Sequence, residues 1–413
     1  MKIRTPTAEN TSFTRTLFRY LGPALMVSVA YMDPGNYGTD LQAGSAFKYE
    51  LVWAVWLASG MAMVLQYLSG KLGIATGKSL PELIRLSIRS RAGITAYWLV
   101  SEVAIAATDL AEYLGTVFAL NLLFGIPLLI ASVFGALDVL IIMALSTRRF
   151  RLVEEFFMLF IGMIALGFLY QALATSPDLR QVATHSVTPS IPNSDAAFIV
   201  VGIVGATVMP HALFVHSWLT KNKIQTGLTS KRRTLRLHLT ENVLLLTAAA
   251  AVNVAILVVA ATALYPSANP TIQYSFLRLN QKFGYLVGYV FAVTLLASGI
   301  TSSTTGTIAG QAVMEGLLGR QVNVWLRRLI TRFVNVVPTT VVILLGLNPL
   351  SMLVYTQVVL SILLPLPMFP LVYYTMKRSV MGEFVNRKPV SALAVVSVAI
   401  ITLFNVYLLA SLL

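Results

Sequence analysis

Cysteine is absent from all 413 residues. Disulfides, thiolate metal sites and thiol redox chemistry are excluded with it, so any metal the chain handles must meet oxygen, nitrogen or thioether ligands. Charge is scarce as well: Asp, Glu, Lys and Arg make up 11% of the sequence, with 16 acids against 30 bases. A cleavable signal peptide is not expected, because Met1 to Arg15 is polar and the first apolar run is interrupted at Asp33. The first span should then serve as its own insertion signal. There is no His-Glu-x-x-His pair, which leaves an intramembrane metalloenzyme without its motif. Neither a solenoid period nor a low-complexity tract occurs.

What the chain has instead is hydrophobicity, 57% of its residues, in repeated runs of the roughly 20 residues needed to cross the hydrocarbon core. It reads as an all-α polytopic membrane protein. A polar tail, 1–16, precedes a single transmembrane domain, 17–413. Eleven spans are expected, at 17–46, 51–73, 93–123, 127–146, 153–175, 196–220, 239–265, 284–316, 329–347, 350–376 and 391–412. The connections 176–195 and 266–283, with Pro, Ser and Asn, read as ordinary loops. Sorting the basic residues tests the count. Lys48, Arg180, Arg278 and Lys282 fall on one side and the other 26 on the side of the N-terminus. That excess marks the cytoplasmic side, places the C-terminus outside, and explains the net charge of +14 by orientation and anionic lipid rather than nucleic acid.

Two spans, the first and the sixth, are interrupted by the same pattern. Ala30-Tyr31-Met32-Asp33-Pro34 and Ala206-Thr207-Val208-Met209-Pro210 each place an electron-rich side chain directly before a proline. Proline lacks a donor and clashes with the preceding turn, so both helices should unwind and leave carbonyls near Ala30 and Ala206 without helical partners. In lipid a cation can satisfy them. Two five-span halves, 17–175 and 196–376, plus an extra helix at 391–412, must insert in opposite senses. This is the inverted-repeat plan of secondary transporters, with the site at the midplane where two discontinuous helices meet.

Asp33 is a carboxylate in the middle of a span, where ionisation demands a counter-charge. Asn36 offers a carbonyl one turn on, and Asp33 before Pro34 is also a good helix cap. Met209 occupies in the second break the place of Asp33 in the first. A thioether adds little for Mg²⁺ or Ca²⁺ but suits softer first-row ions and Cd²⁺. Glu102, Asp109 and Glu112 fall within roughly 80° of one helical face, as either a proton wire or a polar lining stabilised by cations. Arg327 and Arg328 are candidate partners. His211 and His216, in or just after the second break, titrate in the range useful to protons. Asp138 has no such context and reads as structural.

Met32-Asp33-Pro34-Gly35-Asn36, Gly205-Ala206-Thr207-Val208-Met209-Pro210-His211 and Ala107-Thr108-Asp109-Leu110-Ala111-Glu112 together resemble the Nramp (MntH) family of proton-coupled divalent metal transporters, from about residue 17 to the C-terminus. The resemblance implies a LeuT-like fold of 11 helices with helices 1 and 6 broken. It implies metal ligands Asp33, Asn36 and Met209 with the Ala30 and Ala206 carbonyls, and Gln357 joining as the site closes. For protons it implies Glu102, Asp109, Glu112, Arg327 and Arg328, with Asn253 near the pathway. The metal, Mn²⁺ or Fe²⁺ and also Cd²⁺ or Co²⁺, is then cargo rather than cofactor. No cofactor, enzymatic activity or obligate protein partner is expected. A Na⁺-coupled amino-acid transporter of the same fold and a passive metal channel are the alternatives.

Overall fold

The computed structural model describes residues 30–136, 150–222, 230–320 and 323–411, with the backbone alone for 150–158, 324, 325 and 328. The N-terminal tail, the first half of span one and Asp138 lie outside the described residues.

Every expected span that falls within this range carries a helix. The first half of the chain supplies α1 (Pro34–Phe47), α2 (Val52–Thr76), α3 (Leu80–Ser87), α4 (Arg91–Phe124), α5 (Leu128–Gly135), α6 (Phe150–Thr175) and α7 (Leu179–Val187). The second half supplies α8 (Ser194–Val208), α9 (Pro210–Thr220), α10 (Lys231–Ala263), α11 (Ile272–Phe283), α12 (Tyr285–Leu318) and α13 (Val324–Leu344). It continues through α14 (Pro349–Leu363), α15 (Pro365–Met376), α16 (Arg378–Met381) and α17 (Lys388–Ser411). Helix ends follow local chemistry. Ser90, Asn193 and Asn348 cap α4, α8 and α14 with side-chain acceptors, and α2, α4 and α12 stop at Gly77, Gly125 and Gly319 in left-handed conformation.

Three details depart from the expected plan. The connections read as loops hold the helices α7 and α11, and α7 is turned 119° from α6. The tenth span is two helices, α14 and α15, meeting at Leu364 before Pro365, whose missing N–H and ring stop the first helix. The connection after α2 contains α3, closed by a reciprocal capping box between Ser79 and Glu82.

The broken sixth span, α8 with α9, is the centre of the molecule: 94% of its most apolar window is buried, against 33% for the last helix, α17. Around it α10 packs on α1 and α2, α12 on α4, α8 on α14 and α9 on α2. The two broken spans run in opposite senses. From its break, α1 runs to an end where Ser45 O accepts from Ser267 N, whereas α9 runs from its break to Lys221, which pairs with Glu82 among the basic segments. That opposition is the inverted repeat in physical form.

Candidate functional site

At the first break the helix containing Ala30 ends, Tyr31 and Met32 form a turn, and Asp33 caps α1 from an extended conformation (φ −77°, ψ 165°). Asp33 Oδ1 accepts from both Asn36 N and Asn36 Nδ2, each at 2.8 Å. Capping therefore occupies one oxygen only. Oδ2 has no hydrogen-bond partner among the described residues, and the side chain is 1% exposed. At the second break Met209 both ends α8 and begins α9. It has φ 51° and ψ 107°, a region that costs a residue with a Cβ and marks a position held by its surroundings.

Asn36 joins the two breaks. Its Nδ2 donates to Ala206 O at 3.2 Å, and its Oδ1 accepts from Thr207 Oγ1 at 3.4 Å and from Asn253 Nδ2 at 3.2 Å. Asn253 also donates to Tyr31 O at 3.0 Å, so α10 braces the first break from behind. Ser298 Oγ on α12 donates to Met32 O, the next free carbonyl of that turn. Gln357 on α14 packs across both interruptions. A Cβ on Gly35 would lie 2.2 Å from its Nε2, and one on Gly205 would lie 1.9 Å from its carbonyl oxygen. Its own Oε1 has no partner among the described residues. Ala30, Asp33, Asn36, Ala206, Met209 and Gln357 are all buried, and the structure gathers the residues of both breaks and Gln357 at one place. The Ala206 carbonyl, four residues before Pro210, which has no N–H to give it, takes its hydrogen bond from Asn36 Nδ2 instead.

A cavity of 440 Å³ between α1, α8 and α14 approaches from the side away from the basic segments, lined by Gln42, Phe47, Asn193, Asp195 and Tyr355 among others. It stops short of Asn36. Below Gln42, Thr39 packs against the backbone at Gly202 and Leu353 against Gly38.

His211 links this site to the acid face of α4. Its Nδ1 is 3.1 Å from Thr108 Oγ1, and the next residue is Asp109. Glu102 pairs with Arg327 (Arg327 NH2 to Oε1, 2.7 Å), and Arg327 NH1 also donates to Gly310 O. Asp109 and Glu112 press against α12 at Gly306, where a Cβ would stand 2.6 Å from Asp109 Oδ1 and 3.3 Å from Glu112 Oε2. One turn away on α12, Ser303 Oγ accepts from Arg332 NH2 at 3.1 Å, and the Arg332 guanidinium lies 4.9 Å from the Tyr113 ring. Arg332 is 3% exposed, with Asp109 and Glu112 as its electrostatic partners.

The sequence marks Arg327 and Arg328 as the candidate partners of the acid face and gives no role to Arg332, inside the expected span 329–347. The structure puts Arg332 inside α13 in that role, while the Arg328 side chain lies outside the described residues. Thr108 and Ser298 were also missed, because a hydroxyl on an apolar helix carries no signal until its neighbour is known. His216 does not reach the acid face. Its Nδ1 is 3.0 Å from Gln66 Oε1 and its ring packs edge-on to His238 at 4.9 Å, over the bare backbone of Gly70.

Two interrupted spans of opposite sense, joined through a buried cluster of polar groups, define an all-α membrane protein of the inverted-repeat, LeuT-like fold. A nucleobase-cation-symport-1 family transporter in a closed conformation shares that fold (TM-score 0.60, 15% identity, 86% of this chain and 78% of that one). The chain belongs to the Nramp family: the natural resistance-associated macrophage protein-like model matches residues 24–411. Among its relatives is the divalent metal cation transporter MntH of Granulibacter bethesdensis, 40% identical over 399 residues, which cover 96% of this chain and 89% of that one. The MntH of Acidiphilium cryptum is 41% identical over 394 residues, 94% of this chain and 90% of that one. A crystal structure of the Eremococcus coleocola manganese transporter, in complex with an aromatic bis-isothiourea substituted compound, aligns with a TM-score of 0.87 at 32% identity, over 100% of this chain and 91% of that one.

Proposed function

We propose that the chain carries divalent transition metal ions, Mn²⁺ or Fe²⁺ with Cd²⁺ and Co²⁺ also accepted, inward across the cell membrane, driven by protons through alternating access. The N-terminus is cytoplasmic and the C-terminus external. The observation that carries this reading is the unpartnered Asp33 Oδ2, buried beside the joined breaks: a carboxylate there calls for a cation from solution. The relatives named divalent metal cation transporters, and the similar structure titled a manganese transporter, support the same cargo.

The geometry suggests how the site loads. Asn36 now turns its amide nitrogen toward Asp33 and Ala206 O, and its oxygen toward Thr207 and Asn253. A cation would repel that nitrogen. Rotation of the carboxamide would bring Oδ1 to the metal and release the Ala206 carbonyl, giving a shell of Asp33, Asn36 and Ala206 oxygens with the Met209 thioether. Ala30 O and Gln357 Oε1 are further oxygens for other stages of the cycle. The thioether disfavours Ca²⁺ and Mg²⁺.

For protons, His211 and Thr108 lead from the site to Asp109 and Glu112. Arg332 holds the charge of that pair, and Glu102 with Arg327 continues toward the basic side. His216 and Arg328 are secondary. The test is uptake into proteoliposomes with competing divalent ions, repeated with an imposed pH gradient. Cd²⁺ should compete and Ca²⁺ and Mg²⁺ should not, and an inward proton gradient should concentrate the metal. Equal competition by Ca²⁺ would remove the thioether argument, and indifference to the gradient would remove the coupling.

A further inference from the structure

A second carboxylate lies buried in α1. Asp40 is 1% exposed, and neither of its oxygens has a hydrogen-bond partner among the described residues. Seven residues beyond Asp33, it is two turns further out along the helix and points to the side opposite Gln42, which lines the external cavity. Its surroundings can be placed from its neighbours. Tyr37, one turn below, packs edge-on to Phe168 of α6 (5.1 Å between centroids) and against Phe291 of α12 (6.2 Å). Gly44, one turn above, presses on α10, where a Cβ would meet Leu257 O at 2.2 Å.

Helices α1 and α6 run outward together, because beyond their far ends Asp178 N donates to the Tyr49 hydroxyl. Three residues past Phe168, therefore, Gln171 stands at the level of Asp40. Gln171 is 0% exposed, and its oxygen and nitrogen both lack partners among the described residues. Two orphaned polar side chains thus share one level of the membrane core, above an aromatic floor formed by Tyr37, Phe168 and Phe291. Leaving both groups unsatisfied is costly in hydrocarbon.

We propose that Asp40 and Gln171 bind one singly charged cation, a hydrated proton or an alkali ion, behind α1 and apart from the metal site. The donors are a carboxylate and a carboxamide oxygen, a hard set without the thioether found at Met209. One carboxylate balances one positive charge, so a monovalent ion leaves the chamber neutral whereas a divalent ion would strand a net charge in lipid. The charge that bears on Asp40 from its own helix is Asp33. The groups that the other elements bring to the turns on either side of Asp40 are uncharged: Asn253 of α10 at Asn36, Leu257 and Ala260 of α10 at Gly44, and Phe168 of α6 with Phe291 of α12 at Tyr37. The site rests on the transport reading above for its role as the driving-ion post, but its occupancy is measurable alone.

The experiment compares purified wild type with Asp40→Asn and Gln171→Leu, reading unfolding temperature against Na⁺ (choline replacing it) at fixed pH, against pH without Na⁺, and against Mn²⁺. A response to Na⁺ that is lost in Asp40→Asn and shifted to higher Na⁺ in Gln171→Leu assigns an alkali ion. A pH response that changes in the same way assigns a proton. Mn²⁺ should stabilise all three proteins alike. If both variants fold and keep the wild-type Na⁺ and pH responses, the proposal is overturned. Absence of Mn²⁺ stabilisation in wild type would instead count against the metal-transport reading and leave the monovalent comparison to be judged on its own curves.

Discussion

Asp33 caps a helix with one oxygen and leaves the other without a hydrogen-bond partner among the described residues, and the cap was legible in the sequence because Pro34 fixes where the helix restarts. The place of Met209 at the second break was legible in the same way, from Pro210. Replacement of Met209 by Ala should leave Mn²⁺ uptake measurable while Ca²⁺ and Mg²⁺ become effective competitors, and unchanged selectivity would contradict its place in the shell. Arg332 was not legible. Four residues after Arg328 it looks like one more base at a membrane edge, and only the fold brings it between Ser303 and Tyr113 with Asp109 and Glu112 acting on its charge. Removing it strands Asp109 and Glu112 in the core. Arg332→Leu should cost about 3–5 kcal/mol of stability, the usual loss when one partner of a buried ion pair is deleted. A melt in detergent measures this, and Asp109→Asn in the same background should recover part of it.

Whole helices were easier to read than their contacts, since apolar runs and prolines are local while packing is not. The first and sixth spans broke where Pro34 and Pro210 stand, and the capping box at Ser79 and Glu82 was present in the sequence, yet α3 was passed over because a helix of 8 residues is hard to see between long spans. The closeness of α14 to both breaks had no sequence signal beyond Gln357 itself. That closeness makes a prediction. At Gly35 an added methyl meets the end of the Gln357 side chain, which can swing away; at Gly205 it meets the Gln357 backbone, which cannot. Gly205→Ala should therefore lower the melting temperature clearly more than Gly35→Ala, by overpacking of about 1–3 kcal/mol. Equal effects would mean that α14 yields as a unit.

The junction of α3 with α9 and α12 is a second element-scale device. Lys221 Nζ lies 2.8 Å from Glu82 Oε1 and 3.3 Å from Glu315 Oε1. Burial pushes the Glu82 carboxyl up, but hydrogen bonds from Lys221 and the Ser79 backbone, with the Lys221 charge, outweigh it and hold the group below the ordinary glutamate range. A depressed folded value contributes stability that is present above the unfolded value, about 4.3, and is lost as pH falls through the folded one. Between those values wild type should lose stability that Glu82→Gln does not, as acid titration of the two melts would reveal.

At the scale of the whole molecule, the apolar runs and the repeated proline pattern carried most of the architecture, because span length and repeat symmetry are written along the entire chain, while the count of basic residues assigns an orientation that can be tested. The absence of cysteine gives a clean background for testing orientation. Thr188→Cys should react with an impermeant maleimide on intact cells, and Lys78→Cys only after permeabilisation; the reverse pattern would invert the assigned topology. The central claim, that the joined breaks form a metal-carrying site, is tested most directly by Mn²⁺ uptake into proteoliposomes holding equal amounts of wild type and Asp33→Ala. The account predicts proton-driven accumulation by wild type and background uptake by the variant, whereas uptake by Asp33→Ala at the wild-type rate would contradict it.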